Sequence, residues 1–427
     1  MASIDLGYNS PRWTGEIADC SLPMTLDTYS NCSFGCVYCF SQFQRGIHAD
    51  GYFEKKVKAV NPAKIKKIFS GEDKNNQFYN WIKDRRPVQY GGLSDQFDGF
   101  EKKYGVTYEI LKYLREIEYP ISFSTKATWI FDDERYRDLF RGADNWNMKI
   151  SIITLDEDDA RKIEVGVPSP LKRIKAMEKY NELSKGGVTL RLRPFILGVS
   201  NKTYIDLIKQ AADAGANALS TEFFCLENRS VKQSKRNYEV ISDCCGFDVV
   251  DFYRKFSNRN GYLRLNRNAK EKYVYKMKDL AHKLGMRFYI SDSHFKECSD
   301  GCCCCGLPAE WDYSRGHFNG ALQIAKKNGK VTWSEIEKDM DHLVAKAETV
   351  IHFADRIKAG KFNGMNIKEY MRYLWNSPKE GNSPYKIFEM VLVPDGIDDH
   401  GDIIYKYNES VTFEKQSENA GYELKEI

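Results

Sequence analysis

The stretch YSNCSFGCVYCFSQ, Tyr29–Gln42, carries thiols at Cys32, Cys36 and Cys39, three cysteines within eight residues, with Phe34, Gly35 and Tyr38 among them. Three thiolates suit a soft metal centre, either zinc or an iron–sulfur cluster. A structural zinc site recruits four ligands, commonly from two paired knuckles, and no nearby Cys or His pair completes one here. A 4Fe-4S cluster held by three cysteines leaves one iron open to a substrate or cofactor.

Working outward, apolar segments alternate with helical patterns over residues 24 to 224. Strand candidates are Met24–Tyr29, Pro87–Gly92, Ile121–Thr125, Met148–Thr154, Val188–Ile196 and Ala218–Phe224. Between them, Ile110, Leu111, Leu114 and Ile117 share one face of a 3.6-residue period. A second helix is expected after Ser169 as N-cap, with Pro170 at its first position and glycine at its end. Six strands alternating with helices predict a parallel sheet with right-handed crossovers, a complete or partial (β/α) barrel. Ligands of such barrels gather at the carboxyl ends of the strands. The cysteine loop follows the first strand directly, so the fold puts it at that end.

The 427-residue chain is 42% hydrophobic and 13% aromatic, the composition of a folded globular protein. No charged start with an apolar core opens the sequence, and no apolar run approaches the roughly 18 residues of a membrane span. A cytoplasmic protein is expected, in which the 12 cysteines serve as ligands or buried thiols and not as disulfides. The 64 basic and 60 acidic residues nearly cancel, to +4, yet they are unevenly spread. Asp251–Ile290 has 11 Lys or Arg against 3 Asp or Glu, interleaved with aromatics, a pattern that suits either phosphate contact and base stacking or a solvated helix face. From Glu389 to the end, 10 acidic residues face 3 basic ones. Met286–Ser291 reads as a strand, Thr332 and Glu335 as a capping box, and the tail has two short strand-like runs.

Cys32-x3-Cys36-x2-Cys39, with Tyr38 before the last cysteine and β/α repeats downstream, resembles the radical S-adenosylmethionine (SAM) superfamily. The resemblance implies an α/β fold: a partial (β/α)6 radical SAM barrel, here with a cysteine-rich C-terminal extension. It divides the chain into an extension over 1–23, the barrel over 24–224, a basic helical segment with the cysteine cluster over 225–305, and an α+β extension over 306–427. It also implies a 4Fe-4S cluster on Cys32, Cys36 and Cys39 whose open iron chelates SAM, an electron donor such as flavodoxin or ferredoxin, and a 5'-deoxyadenosyl radical that removes hydrogen from a substrate.

Segments including GGLSDQFDGFEKKYGVTYEILKYL, FSTKA, ISIITLDEDDARKIEVGVPSPLKRIKAM and RLRPFILGVSN resemble spore photoproduct lyase and its DNA-photolyase-like relatives. On that resemblance Tyr38 lies by the adenine, Ser94 contacts SAM, Lys126 lies near the SAM carboxylate, Ser151 faces the ribose and Arg193 pairs with a carboxylate. Turn, surface and strand-packing roles are the plain alternatives for these residues. Gly92 stands where those lyases carry a hydrogen-donating cysteine, so the substrate here is expected to differ.

Five further cysteines, Cys298, Cys302, Cys303, Cys304 and Cys305, follow His294 in HFKECSDGCCCCGLP. On a helical turn Cys298, Cys302 and Cys305 would share a stripe, and Cys20, Cys225, Cys244 or Cys245 would complete a second iron–sulfur site. Buried structural thiols and zinc are the alternatives. Three functions follow: a radical SAM enzyme modifying or repairing a nucleic-acid base or sugar, one acting on a peptide or small metabolite with an auxiliary cluster, or a non-catalytic metal-bound nucleic-acid-binding module.

Overall fold

The computed structural model describes residues 3–41, 55–227, 235–257, 262–347, 362 and 364–411. Gln42, part of the basic segment and the end of the acidic tail lie outside these residues. The central sheet is built from β1 (Arg12–Trp13), β2 (Met24–Leu26), β3 (Val88–Tyr90), β4 (Ile121–Thr125), β5 (Trp146–Ser151), β6 (Val188–Phe195) and β7 (Ala218–Phe223). Next in the chain come β8 (Cys225–Glu227), β9 (Tyr262–Arg264) and β10 (Arg287–Ile290), of which β10 completes the sheet beside β7. The strand order is sequential from β1 to β7 and then β10. All pairs from β2 onward are parallel, and only β1 runs antiparallel, on β2. The sheet stays open between β1 and β10, the arrangement of a partial barrel.

All six expected strands form, several shorter than read. Beyond these six, β10, read as a strand, adds a seventh parallel member through the register Arg287↔Ala218 to Ile290↔Thr221. Periodicity identifies a strand, but pairing with a partner 69 residues away is a tertiary event.

The helices form where their signals lie. Pro170–Leu183 is capped by Ser169, whose hydroxyl accepts from the Lys172 amide at 3.5 Å. Thr332 and Glu335 make the capping box of Trp333–Glu337. Val106–Glu116 buries Ile110, Leu111 and Leu114. Among the described residues, no helix is long and apolar enough to cross a membrane.

The two faces of the sheet differ sharply. Val88 and Tyr90, Ile121 and Phe123, Met148 and Ile150, and Leu190 and Leu192 are fully buried on the helix-covered face. Alternate positions carry polar groups: Gln89, Ser122 and Ser124, Asn147, Lys149 and Ser151, Thr189, Arg191 and Arg193, Ser220 and Glu222. Parallel sheets are ordinarily apolar on both faces. A polar concave face is therefore one shaped for a ligand or for polar chain segments.

Beyond the sheet, β8 and β9 form an antiparallel pair. The strands β11 (Lys330–Val331), β12 (Leu392–Ile397) and β13 (Ile403–Tyr407) form a separate antiparallel sheet in the order β11-β13-β12. The cysteine-rich segment corrects a second expectation, because residues 299–306 contain no helix. Their carbonyls are taken by side chains instead: Cys302 O accepts from Ser21 Oγ at 3.1 Å and Asn319 Nδ2 at 2.8 Å, and Cys304 O from Ser220 Oγ at 2.6 Å. The expected Cys298–Cys302–Cys305 helical stripe consequently does not form.

Candidate functional site

Cys32, Cys36 and Cys39 sit on the loop that leaves the carboxyl end of β2, and all three are free thiols. Gly35 turns the loop with φ +65, a conformation that favours glycine. The Cys39 amide donates to Cys36 O at 3.1 Å, and the Val37 amide to Ile163 O at 2.9 Å. Asp98 accepts from the Ser33 amide at 2.5 Å while capping the helix Gly99–Tyr104. Ser41 Oγ donates to Leu93 O at 2.6 Å, tying the far end of the loop to the turn after β3. Three segments outside the loop, at Ile163, Asp98 and Leu93, thus hold it in place.

Burial dominates the electrostatics here. It pushes the Cys36 thiol up to about 12, although the Lys126 ammonium acts in the opposite sense. Cys32 is held well above the ordinary thiol value, first by burial and then by Asp98 and Asp95. Without a metal these groups stay thiols, and a cation is needed to make them thiolates. Among the described residues, no group of three or more His, Cys, Asp or Glu is drawn together as a single metal ion requires. One zinc ion would bring its sulfurs to roughly 3.7 Å from one another. A four-iron cluster gives each thiolate its own iron, and three cysteines with one iron left open are the donor set it would take.

Tyr38 is locked from its hydroxyl end. Its Oη donates to Glu164, whose other oxygen accepts from Arg173 Nη2 at 2.5 Å, and Arg173 Nη1 donates to Ser151 O at 2.7 Å at the end of β5. The Glu164 and Arg173 side chains are each 1% exposed. The Lys126 ammonium lies 5.5 Å from the centre of the Tyr38 ring. Burial opposes its charge, and the carboxylates of Glu164 and Asp95 act to hold it. The fold therefore brings Lys126 to the Tyr38 ring of the cysteine loop and links the Ser151 carbonyl to that ring through Arg173 and Glu164.

Ser94 does a bracing job beside them. Its hydroxyl donates to Tyr29 O at 2.8 Å, and its amide donates to Asp27 Oδ1 at 3.1 Å. Asp27 is in turn paired with Arg12 of β1 at 2.5 Å. A β-carbon at Gly92 would meet Arg12 Nη2 at 3.4 Å and Thr25 Cβ at 3.5 Å, ordinary contact, so this position has room for a side chain that the sequence does not supply.

Arg193 lies elsewhere on the concave face. It pairs with Glu222 and donates to Ser291 Oγ at 2.9 Å. Of the later cysteines, Cys298 lies beside Glu297 and Cys302 faces Ser21, while Cys302, Cys303 and Cys305 share one apolar cluster with Leu22, Leu307 and Tyr313. Cys304 and Cys305 reach the concave face, where Cys20 is their neighbour. Cys245 donates to Leu197 O at 3.2 Å and Cys225 to Phe223 O at 3.6 Å, both away from that group. His294 turns to Glu389 at 3.2 Å. In the basic segment, Arg267 pairs with Glu297 and Lys270 with Asp292, so two of its cations are spent inside the protein.

Glu164, Arg173, Asp27 and Asp95 shape this site without any sequence signal of their own. Acidic and basic residues in helical runs read as solvated, and only their burial reveals the pairing.

No protein-family model and no curated protein matches the chain. Among solved structures, it is similar to a spore photoproduct lyase variant, at 16% identity over 64% of this chain and 77% of that one, with a TM-score of 0.46. It is also similar to SuiB of Streptococcus suis bound to S-adenosylmethionine, at 14% identity over 66% of this chain and 54% of the other, TM-score 0.39. A third is the coproporphyrinogen III oxidase HemN of Escherichia coli, described as a radical SAM enzyme, at 10% identity over 82% of each chain, TM-score 0.33.

Proposed function

We propose that this chain is a radical SAM enzyme that removes a hydrogen atom from a substrate seated on the concave face of its sheet. The observation that carries the reading is the loop of Cys32, Cys36 and Cys39 at the carboxyl end of β2, with Tyr38 fixed through Glu164 and Lys126 beside its ring. Those cysteines would hold a 4Fe-4S cluster, which with an outside electron donor such as flavodoxin or ferredoxin supplies the electron for reductive cleavage of SAM to a 5'-deoxyadenosyl radical. The chain's own residues supply position and charge. Lys126 offers its ammonium to a carboxylate, and Tyr38 presents a ring face fixed through Glu164. No auxiliary iron is included in this proposal: Cys298 packs in the main core, apart from the apolar cluster of Cys302, Cys303 and Cys305.

Two substrate classes remain in this proposal. A nucleic-acid base or sugar is supported by the basic segment. A small metabolite or peptide is favoured by the internal pairing of Arg267 and Lys270, which withdraws two cations from any nucleic-acid surface. Nucleic-acid binding should weaken steeply with salt, through counterion release, and binding of a small ligand should not.

The test is anaerobic reconstitution followed by iron analysis and assay of 5'-deoxyadenosine from SAM and reductant. Wild-type protein should take about four irons per chain, one cluster of the usual type, and make 5'-deoxyadenosine. The triple variant Cys32→Ala, Cys36→Ala, Cys39→Ala should lose both and stay folded by circular dichroism. SAM cleavage surviving in that variant would refute the assignment, and about eight irons would return the later cysteines to consideration as ligands.

A further inference from the structure

Lys149 stands in the middle of β5 on the concave face, and its residue is 2% exposed. Its ammonium has no hydrogen-bond partner among the described residues. Buried charges are ordinarily paired, because an isolated ion removed from water is strongly unfavourable. Such a group either weakens the fold for nothing or awaits an anion.

Its surroundings favour the second. The register pairs Lys149 with Ser124 on β4 and Thr189 on β6, and pairs Ser151 with Arg191. Lys149 and Arg191 are therefore diagonal neighbours facing the same way, with roughly 8 Å between their Cα atoms from strand spacing and rise. Arg191 donates to Ser124 Oγ at 3.2 Å and is half-buried, so this row opens to the outside. Burial, and then the charge of Arg193, push the Arg191 guanidinium down to about 10, and it stays charged at neutral pH. The nearby acid, Glu222, is engaged by Arg193. Lys296 is balanced by Asp19 at 2.6 Å. The floor is closed by the cysteine segment: a β-carbon on Gly306 would lie 2.4 Å from Thr189 Oγ1, and Ser220 and Thr189 both donate to its carbonyls.

We propose that Lys149 and Arg191, with the Ser124 hydroxyl, form an oxyanion subsite on the concave face that takes a carboxylate or phosphate of the substrate. This rests on the radical SAM reading only for the word substrate; the subsite itself is a property of the empty-handed ammonium and its neighbours. Lys126 and the Tyr38 ring lie at the strand ends beside the cysteine loop, whereas Lys149 lies two residues before the end of β5. SAM and the oxyanion thus have separate cations.

The experiment titrates inorganic phosphate, and separately acetate, into anaerobically reconstituted holoenzyme, reading binding by calorimetry and by the shift in melting temperature, with SAM affinity and iron content measured on the same samples. Saturable binding of at least one probe is expected in wild-type protein; the tighter one names the oxyanion. Lys149→Met and Arg191→Gln should each weaken it about tenfold or more, the loss of one charge-assisted hydrogen bond. Lys149→Arg should restore most of it. Lys149→Met should also melt higher than wild type without probe, because an unpaired buried charge has been replaced by an apolar chain of similar length. SAM affinity and iron content should not change in Lys149→Met. Absence of saturable binding in wild type, or binding that Lys149→Met leaves intact, overturns the subsite. A parallel fall in SAM affinity or iron would assign these cations to the cofactors and overturn it as well. Because no readout requires SAM cleavage, failure of the radical reading would leave these results standing, and failure of the subsite would leave 5'-deoxyadenosine formation intact.

Discussion

Arg173 is one of the largest side chains completely enclosed by this protein, and it survives burial because Glu164 and the Ser151 carbonyl both meet it. The same carboxylate takes the Tyr38 hydroxyl, so one ion pair positions both the ring beside Lys126 and the end of β5. Removing one partner of a buried pair leaves the other charge uncompensated, at a cost of about 3–5 kcal/mol. Glu164→Ala is therefore expected to lower the melting temperature markedly and to reduce SAM cleavage in whatever protein remains folded. Glu164→Gln, which keeps the shape and an acceptor, should lose less on both counts. Equal behaviour of the two variants in thermal melts would show that the charge of Glu164 does not matter.

At the scale of elements, the cysteine loop is held by what passes beneath it. Gly166 follows the helix Glu157–Ile163, and its amide donates to Phe34 O at 2.8 Å. A β-carbon there would lie 2.9 Å from Phe34 O and 3.1 Å from Phe34 Cα, both backbone atoms between Cys32 and Cys36. Flexible side chains could yield to such a contact, but backbone must move as a unit. Gly166→Ala should cost about 1–3 kcal/mol, the range for overpacking, and should displace the loop enough to lower iron uptake on reconstitution. Gly381→Ala, where nothing lies within 4 Å of the new carbon, is the control and should reconstitute normally. Full iron content in Gly166→Ala would mean that the loop tolerates the shift.

For the whole molecule, the clearest handle is acid. His317 caps the helix Phe318–Asn328, its Nδ1 accepting from the Gly320 amide at 3.3 Å, so the proton sits on Nε2 facing Ser314 O at 3.0 Å and Ser21 Oγ at 2.9 Å. Burial lowers its pKa to about 4. Above pH 6.5 the ring is neutral in folded and unfolded chains alike, and stability is unaffected. Between pH 6.5 and 4 the unfolded chain binds a proton that the folded one refuses, so stability falls with pH, by about 2 kcal/mol at pH 5 and about 3 kcal/mol at pH 4. Urea unfolding at pH 7 and pH 5 should show this loss, and His317→Asn, which keeps a capping side chain, should recover much of it. An unchanged pH dependence in that variant would mean that the ring does not titrate in this window.

The spacing of Cys32, Cys36 and Cys39 points to its chemistry without any fold, because the donor set is local. Strands and helices were legible for the same reason: period, caps and proline positions act within a few residues, as Ser169 and Pro170 do. The tertiary structure decided the rest. It joined β10 to β7, bent the later cysteines out of a helix by giving their carbonyls to Ser220, Ser21 and Asn319, and matched Arg193 to Glu222. It also left the Lys149 ammonium without a hydrogen-bond partner among the described residues. A charged side chain reads alike in sequence whether it is solvated, paired or waiting for a ligand. Which of these holds depends on burial and on groups brought in from distant segments, and neither is encoded in the residue's own neighbourhood.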